Sequence, residues 1–246
     1  ADLFVVAGYG LSGKDQAEIK QENADVEFGY FADTVIGDTP NAIRVFSQTT
    51  NISTFELVSG EFPTKSNEVA LVQTMADQYK IGDTIRLNES GSSTLLKEHE
   101  FTITGFVNSS EILSNTIKGV SSAGSGDLSG FAVVPKDAFD SEVYTIARLR
   151  YPELRKWKTT SREYSDKVTE LQQALEEKLA DNGTARLDAL KTTADDKISE
   201  GKEKITDAKT QLSDAEKKLA DGKNEIEKNE KTLAEGQKEV DSNEAT

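Results

Sequence analysis

Apolar and polar positions alternate along most of the first 150 residues, and the period changes after that. The run LFVVA at 3–7 is followed by Gly8-Tyr9-Gly10, the pattern of a buried strand and its turn. Ser12 then stands three residues before Asp15, a spacing that predicts a helix start in which hydroxyl and carboxylate cap each other's backbone N–H. Residues 26–36, VEFGYFADTVI, alternate as one strand, and NAIRVFSQ at 41–48 as another. Farther on, EVALV at 68–72 predicts a strand and TMADQYK a short helical stretch. Ile81-Gly82-Asp83 reads as a turn in which Gly82 takes a positive φ. TIRL and EFTITGFV alternate as strands across a Gly/Ser loop, and KGVSSAGSGDLSG at 118–130 has the composition of a mobile loop. FAVV runs into Pro135, KDAFD suits a helical turn, and YTIARLRY closes the series of strands.

After Pro152 the period becomes helical. Tyr164, Val168, Leu171, Leu175 and Leu179 recur on one face of a helix over about 160–181. Asn182-Gly183 reads as its stop signal, with Thr184 able to cap a restart. From there to about Asn243 no proline occurs and a heptad takes over. Position a holds Ile198, Ile205, Leu212, Leu219, Ile226, Leu233 and Val240, while position d holds Gly201, Ala208, Ala215, Gly222, Asn229 and Gly236. These thirteen residues are the candidate interface of a left-handed coiled coil.

The small d residues carry a cost, because each internal glycine disfavours a helix by about 1 kcal/mol relative to alanine. Close approach of a facing helix offsets it, since a missing Cβ lets backbones come nearer and gain dispersion contacts. A parallel, in-register copy of the same helix would pair Lys197 with Lys202, Lys204 with Lys209, Lys218 with Lys223 and Glu225 with Glu230, all like-charged. An antiparallel helix, most simply a second arm of the same parent chain, avoids that conflict. The 160–181 helix is about 33 Å long against roughly 90 Å for the tail, so it can cover only the base.

Composition narrows the function. With 29 basic and 44 acidic residues the net charge is −15, which disfavours nucleic acid and anionic membrane surfaces as direct partners. Residues 1–152 hold 11 basic and 21 acidic groups; 184–246 hold 12 and 16, a nearly balanced tail. No cysteine is present, so disulfides, thiolate metal sites and thiol nucleophiles are excluded. The one histidine, His99, lies in a strand pattern and reads as an ordinary solvated or satisfied side chain. Carboxylate pairs are numerous because acids are numerous, and one Trp (Trp157) signals no sugar cleft, so an enzyme is not expected. No D-x-D-x-D-G calcium loop or phosphate-cradling loop occurs, and no run approaches the roughly 20 apolar residues of a membrane helix. The chain reads as a soluble part of a longer protein.

Three stretches carry a family resemblance: Gly60-Glu61-Phe62-Pro63, Asn67-Glu68-Val69-Ala70-Leu71 and Ile81-Gly82-Asp83-Thr84-Ile85. Together with the opening Asp2-Leu3-Phe4-Val5-Val6 and Gly10-Leu11-Ser12, they resemble the extracytoplasmic core of FtsX/MacB-like ABC transporter permeases over residues 1–180. The long tail is similar to that of large Gram-positive members carrying a coiled coil. The resemblance implies an α+β fold with a two-lobed core over 1–183 and a coiled-coil helix projecting from it over 184–246. Lobe one would be βαβ-type, from 1–48 and 140–183, and the β-rich second lobe would span 49–139. It also implies placement on the extracellular face of the cell membrane and a cytoplasmic ATPase subunit as partner through membrane helices. The expected role is transmission of ATP-driven motion to an exported peptide substrate or an envelope protein, with no catalytic residue and no cofactor. The alternative is a surface stalk, adhesin-like or phage-infection-protein-like, that binds through the coiled coil.

Overall fold

The computed structural model describes residues 1–89, 94–110, 121 and 123–244. Alternating segments become ten strands among the described residues: β1 Leu3–Leu11, β2 Asp25–Gly29, β3 Phe31–Ile36, β4 Ala42–Ser47, β5 Phe55–Gly60, β6 Glu68–Val72, β7 Thr84–Glu89, β8 Glu100–Ser109, β9 Leu128–Val134 and β10 Tyr144–Arg150. Three α-helices accompany them, α1 Gly13–Lys20, α2 Arg162–Leu179 and α3 Asn182–Glu244. The architecture is mixed α+β with a large sheet and a long C-terminal helix. By contacts the chain divides into two units, Ala1–Arg186 and Leu187–Thr246.

Within the first unit, β1, β10 and β2 form a small sheet in that order, all neighbours antiparallel. β1 and β2 therefore run parallel to each other on either side of β10, joined through α1, a split βαβ arrangement. Leu3, Val5, Leu149, Tyr151, Val26 and Phe28 pack with Ile19 of α1 and with Tyr164, Val168, Leu171, Leu175 and Leu179 of α2. All five apolar positions read from the helical period thus meet this core. At the start of α1, the Ser12 hydroxyl accepts from the Asp15 N–H at 3.2 Å and the Asp15 carboxylate accepts from the Ser12 N–H at 2.6 Å, the expected capping box.

The second sheet orders as β5-β8-β6-β9-β4-β3-β7, with β7 also pairing β8. The pairings β3–β4–β9–β6–β8–β7–β3 therefore close into a six-stranded ring, and β5 continues along β8 beyond the point where β7 leaves it. Its interior is a continuous apolar cluster in which Phe46, Phe55 and Phe131 lie 6.0–6.5 Å apart in tilted and edge contacts. Each such buried ring contributes about 1.5–3 kcal/mol of hydrophobic stabilisation.

Several expectations are revised. The stretch 26–36 is two strands, interrupted at Tyr30, whose N–H donates to the Ser47 hydroxyl at 2.9 Å while its carbonyl accepts from the Ser47 N–H. There the chain passes from one sheet to the other, so β3 and β4 join the large sheet although resemblance placed 1–48 together in lobe one. Strand β1 is an edge strand, not a buried one, with Phe4 47 % and Val6 56 % exposed. Gly8-Tyr9-Gly10 stays inside it, at an irregularity of register where Gly10 takes φ +77°. TMADQYK forms only a 3-10 turn, Gln73–Met75, followed by turns. Strand β5 has no counterpart among the predicted elements, because five of its six residues are exposed and no apolar alternation marks it.

Of the loop expected at 118–130, residues 118–120 and 122 lie outside the described residues. Of the described remainder, Ala123 is buried and the Ser121 N–H donates to the Gly126 carbonyl at 2.8 Å, Gly124, Ser125 and Asp127 are exposed, and 128–130 open β9. Asn182 and Gly183 do not stop a helix. The break falls at Ala180-Asp181, and the Asp181 carbonyl accepts the first bond of α3 from Ala185, which puts Thr184 inside the helix.

Candidate functional site: the seam of the C-terminal helix

Helix α3 is a single run of 63 residues, about 95 Å at 1.5 Å per residue. Strong helix formers fill it, and its mid-helix threonines fold their hydroxyls onto the carbonyl four residues back, as Thr206 does on Lys202 and Thr210 on Thr206. The local charge pattern adds little: Lys204 meets Glu200 at 3.4 Å across an exposed turn, a contact type worth a few tenths of a kcal/mol.

All seven a positions lie on this helix with their side chains in solvent, from 51 % exposed at Val240 to 75 % at Leu233. Beyond the helix's own adjacent backbone, Gly201, Gly222 and Gly236 have nothing within 4 Å of where a Cβ would stand. The small residues open a depression between the aliphatic knobs: Asn229, Thr232, Leu233, Gly236, Gln237 and Val240 line a space of about 490 Å³. Helical spacing places Ile198, Ile205, Leu212, Leu219, Ile226, Leu233 and Val240 beside Gly201, Ala208, Ala215, Gly222, Asn229 and Gly236 as one stripe. A straight α-helix drifts about 20° per heptad, so a partner following the stripe must wind with it.

The three stretches that carry the family resemblance converge on one strand. The Glu61 N–H donates to the Thr104 carbonyl at 2.9 Å, and the Thr104 hydroxyl donates back to the Glu61 carbonyl at 3.0 Å. The Thr102 N–H donates to Asn67, the Ile103 N–H to Asp83, and the Gly82 N–H to the Ile103 carbonyl. Every one of these partners belongs to β8. Gly60 sits at φ +76° with its Cα facing the Thr104 carbonyl, so a side chain there would collide with backbone. Gly82 takes φ +95°, as its turn requires. Glu68 accepts from the N–H groups of Thr64 and Lys65, and the first of these leads in holding its carboxyl down at about 2. These three stretches fasten the ring through β8, whereas the opening residues of the resemblance lie in and beside β1 of the small sheet.

Burial pushes Glu27 up, but backbone donors at Thr50, Ile52 and Asn51, with the Thr50 hydroxyl, outweigh it and leave the group below the usual carboxylate range. That carboxylate ties β2 to the loop after β4. Among the described residues no group of three or more His, Cys, Asp or Glu side chains is placed to hold a metal ion, and no helix is long and apolar enough to cross a membrane.

Comparison with protein-family models and with curated proteins gives no match. Among solved structures, the extracellular domain of the noncanonic ABC-type transporter YknZ from Gram-positive bacteria is similar over 69 % of this chain and 92 % of its own, at 9 % sequence identity and a TM-score of 0.38. At those values the likeness is coarse.

Proposed function

We propose that this chain is the extracytoplasmic part of an ABC transporter permease of the FtsX/MacB-like kind, whose C-terminal helix is an arm that pairs with an antiparallel helix and transmits motion. The observation that carries the arm is the seam of α3. Seven large aliphatics, each more than half exposed on one helix face, leave apolar surface that a facing helix would bury at about 25 cal/mol per Å². The small residues between them favour a partner with large side chains opposite. Resemblance at residues 60–85 supports assignment to a permease, with a cytoplasmic ATPase supplying the motion and an envelope protein or exported peptide receiving it. The chain itself performs no bond chemistry in this reading; its work is mechanical coupling.

This chain contributes no thiol of its own, and any cysteine elsewhere in the parent protein is first replaced by serine. Glu203→Cys is introduced into the natural membrane-borne protein, and intact cells are treated with a membrane-impermeant maleimide. Labelling without permeabilisation and co-purification of an ATP-hydrolysing subunit are expected. Labelling only after lysis overturns the extracytoplasmic placement. Labelling of intact cells with no ATPase in the purified complex overturns the transporter and favours a surface stalk.

A further inference from the structure

The flanks of the α3 seam change sign along the helix. The heptad positions beside the seam are e (202, 209, 216, 223, 230, 237) and g (197, 204, 211, 218, 225, 232, 239). From Lys197 to Lys223 these positions hold six lysines and one acid, Glu216. Beyond Lys223 they hold Glu225, Glu230 and Glu239 and no base. All of them are exposed on one helix. A helix whose flanks run from basic to acidic repels a parallel copy of itself and complements a reversed one.

In an antiparallel pair, a faces d of the other helix, e faces e, and g faces g. With Gly201 opposite Val240, Lys209 meets Glu230, Glu216 meets Lys223, Lys204 meets Glu239 and Lys218 meets Glu225. The two-fold axis makes each contact twice. Every charged pair across that span is opposite in sign. Outside it, Asp195 comes to Glu244, the last residue of the helix, as a like-charged pair. A slip of one heptad one way sets Lys218 on Lys218, Glu216 on Glu216 and Lys209 on Lys223. The other way sets Glu225 on Glu225, Lys223 on Lys223 and Glu216 on Glu230. Slipping by two heptads either sets Lys202 on Lys223 or, toward the C-terminus, restores opposite signs with four seam layers in place of six.

Size agrees with charge. At the favoured alignment Ile205 faces Gly236, Leu212 faces Asn229, Leu219 faces Gly222, Ile226 faces Ala215, Leu233 faces Ala208 and Val240 faces Gly201. Each layer sets a large aliphatic against a smaller residue, and three set it against glycine, which permits close approach. Ile205 of a second copy would enter the depression of about 490 Å³ around Gly236. The shared span runs about 60 Å along the axis. Lys204 also meets Glu200 of its own helix at 3.4 Å, an exposed contact that Glu239 of a second copy would share or displace.

We infer that the helix covering this seam is α3 of a second copy of this chain, antiparallel, with Gly201 of each copy opposite Val240 of the other. The inference rests on the seam as a helix-pairing surface and not on the transporter reading. Any other partner would have to reproduce the pattern of sizes and charges that the reversed copy already carries.

Sedimentation equilibrium of the full chain is expected to show a monomer–dimer equilibrium below millimolar concentration. Lys204→Glu with Lys218→Glu turns four contacts of the dimer repulsive and is expected to weaken it about tenfold or more. Glu225→Lys with Glu239→Lys is expected to weaken it equally. The two variants mixed are expected to recover the wild-type affinity as a heterodimer. Cysteines report the register, since the chain has none of its own. On mild oxidation Lys218→Cys is expected to crosslink to Glu225→Cys in a mixture, and neither variant to crosslink to itself. A monomer at millimolar concentration, or no recovery in the charge-swapped mixture, overturns the inference. So does crosslinking of either variant alone, or of Lys218→Cys to Lys223→Cys or to Glu239→Cys, which report slipped, parallel and further-shifted pairs. The same cysteines in the parent protein separate this inference from the reading beneath it. A monomeric chain whose cysteines crosslink to another segment of the parent overturns the second copy and leaves the seam a helix-pairing surface. A monomeric chain whose cysteines stay fully reactive in the parent overturns both.

Discussion

The side-chain amide of Asn182 donates to the Asp15 carboxylate at 2.8 Å, and Asp15 at the same time closes the capping box with Ser12. The other amide hydrogen goes to Glu18 at 2.6 Å. The first residue of α3 is thereby bound to the first and second turns of α1, with Asn182 itself buried.

Asn182→Ala removes both bonds and leaves two carboxylates short of a donor in a shielded place. A loss of about 1.5–3 kcal/mol is expected, the range for hydrogen bonds to charged groups. Asn182→Asp adds a third carboxylate and is expected to cost more. Urea unfolding followed through the fluorescence of Trp157, the one tryptophan, reads both. Equal stability of the wild type and both variants would show that this junction holds nothing.

Glu68 predicts a pH dependence with a definite sign. Its folded value is lowered from the ordinary 4.5 to about 2, so the stability it contributes is present above about pH 4.5 and lost as pH falls toward about 2. Glu68→Gln is expected to be less stable than the wild type near neutrality. The gap should close progressively through that window. Denaturation curves from about pH 6 to about pH 2 check it, and a gap that stays constant contradicts it.

Two glycines of the shared turn region separate backbone conformation from contact. Gly82→Ala meets nothing within 4 Å, so its cost is that of a side chain at positive φ, about 1–2 kcal/mol. Gly60→Ala has the same conformational cost and drives a methyl into the Thr104 carbonyl and the Ile81 side chain as well. It is expected to destabilise clearly more than Gly82→Ala. Thermal melts of the two variants side by side decide it.

In the tail, the triple change of Gly201, Gly222 and Gly236 to alanine is expected to raise helicity in the isolated chain, by about 1 kcal/mol per site from propensity. On the proposed pairing, the same change in the parent protein is expected to impair function by holding a facing helix away, and leucine more so, at about 1–3 kcal/mol of overpacking per site. Circular dichroism and an assay of the intact protein are the two measurements. Higher helicity with full function would separate the glycines from close pairing.

What the sequence revealed depended on whether local signals agreed with tertiary demand. Ser12 and Asp15 were legible because both halves of a capping box lie within four residues. The face Tyr164–Leu179 was legible because one helix buries one stripe. The helix of α3 was legible for a different reason: a long proline-free run of helical period declares itself without any tertiary contact, and its stripe stays exposed. Strand β5 was hidden because pairing with β8 requires backbone groups, which its exposed side chains do not advertise. Tyr30 was hidden because alternation continues across it while the hydrogen-bonding partner changes from β10 to β4. LFVVA misled because an apolar run looks the same whether both sides of a strand are covered or one is open.

A seam that repeats every seven residues is nearly indifferent to sliding by one repeat, about 10.5 Å along the axis. In α3 that degeneracy is broken by the order of the small residues: glycine at 201, 222 and 236, alanine at 208 and 215, and a lone amide at Asn229. A facing helix displaced by one heptad would set a large side chain against alanine where glycine had received it, and a different aliphatic against the Asn229 amide. In the pairing proposed above, the irregularities would act as a vernier, giving a long rod one preferred alignment with a ladder of poorer ones at fixed steps to either side.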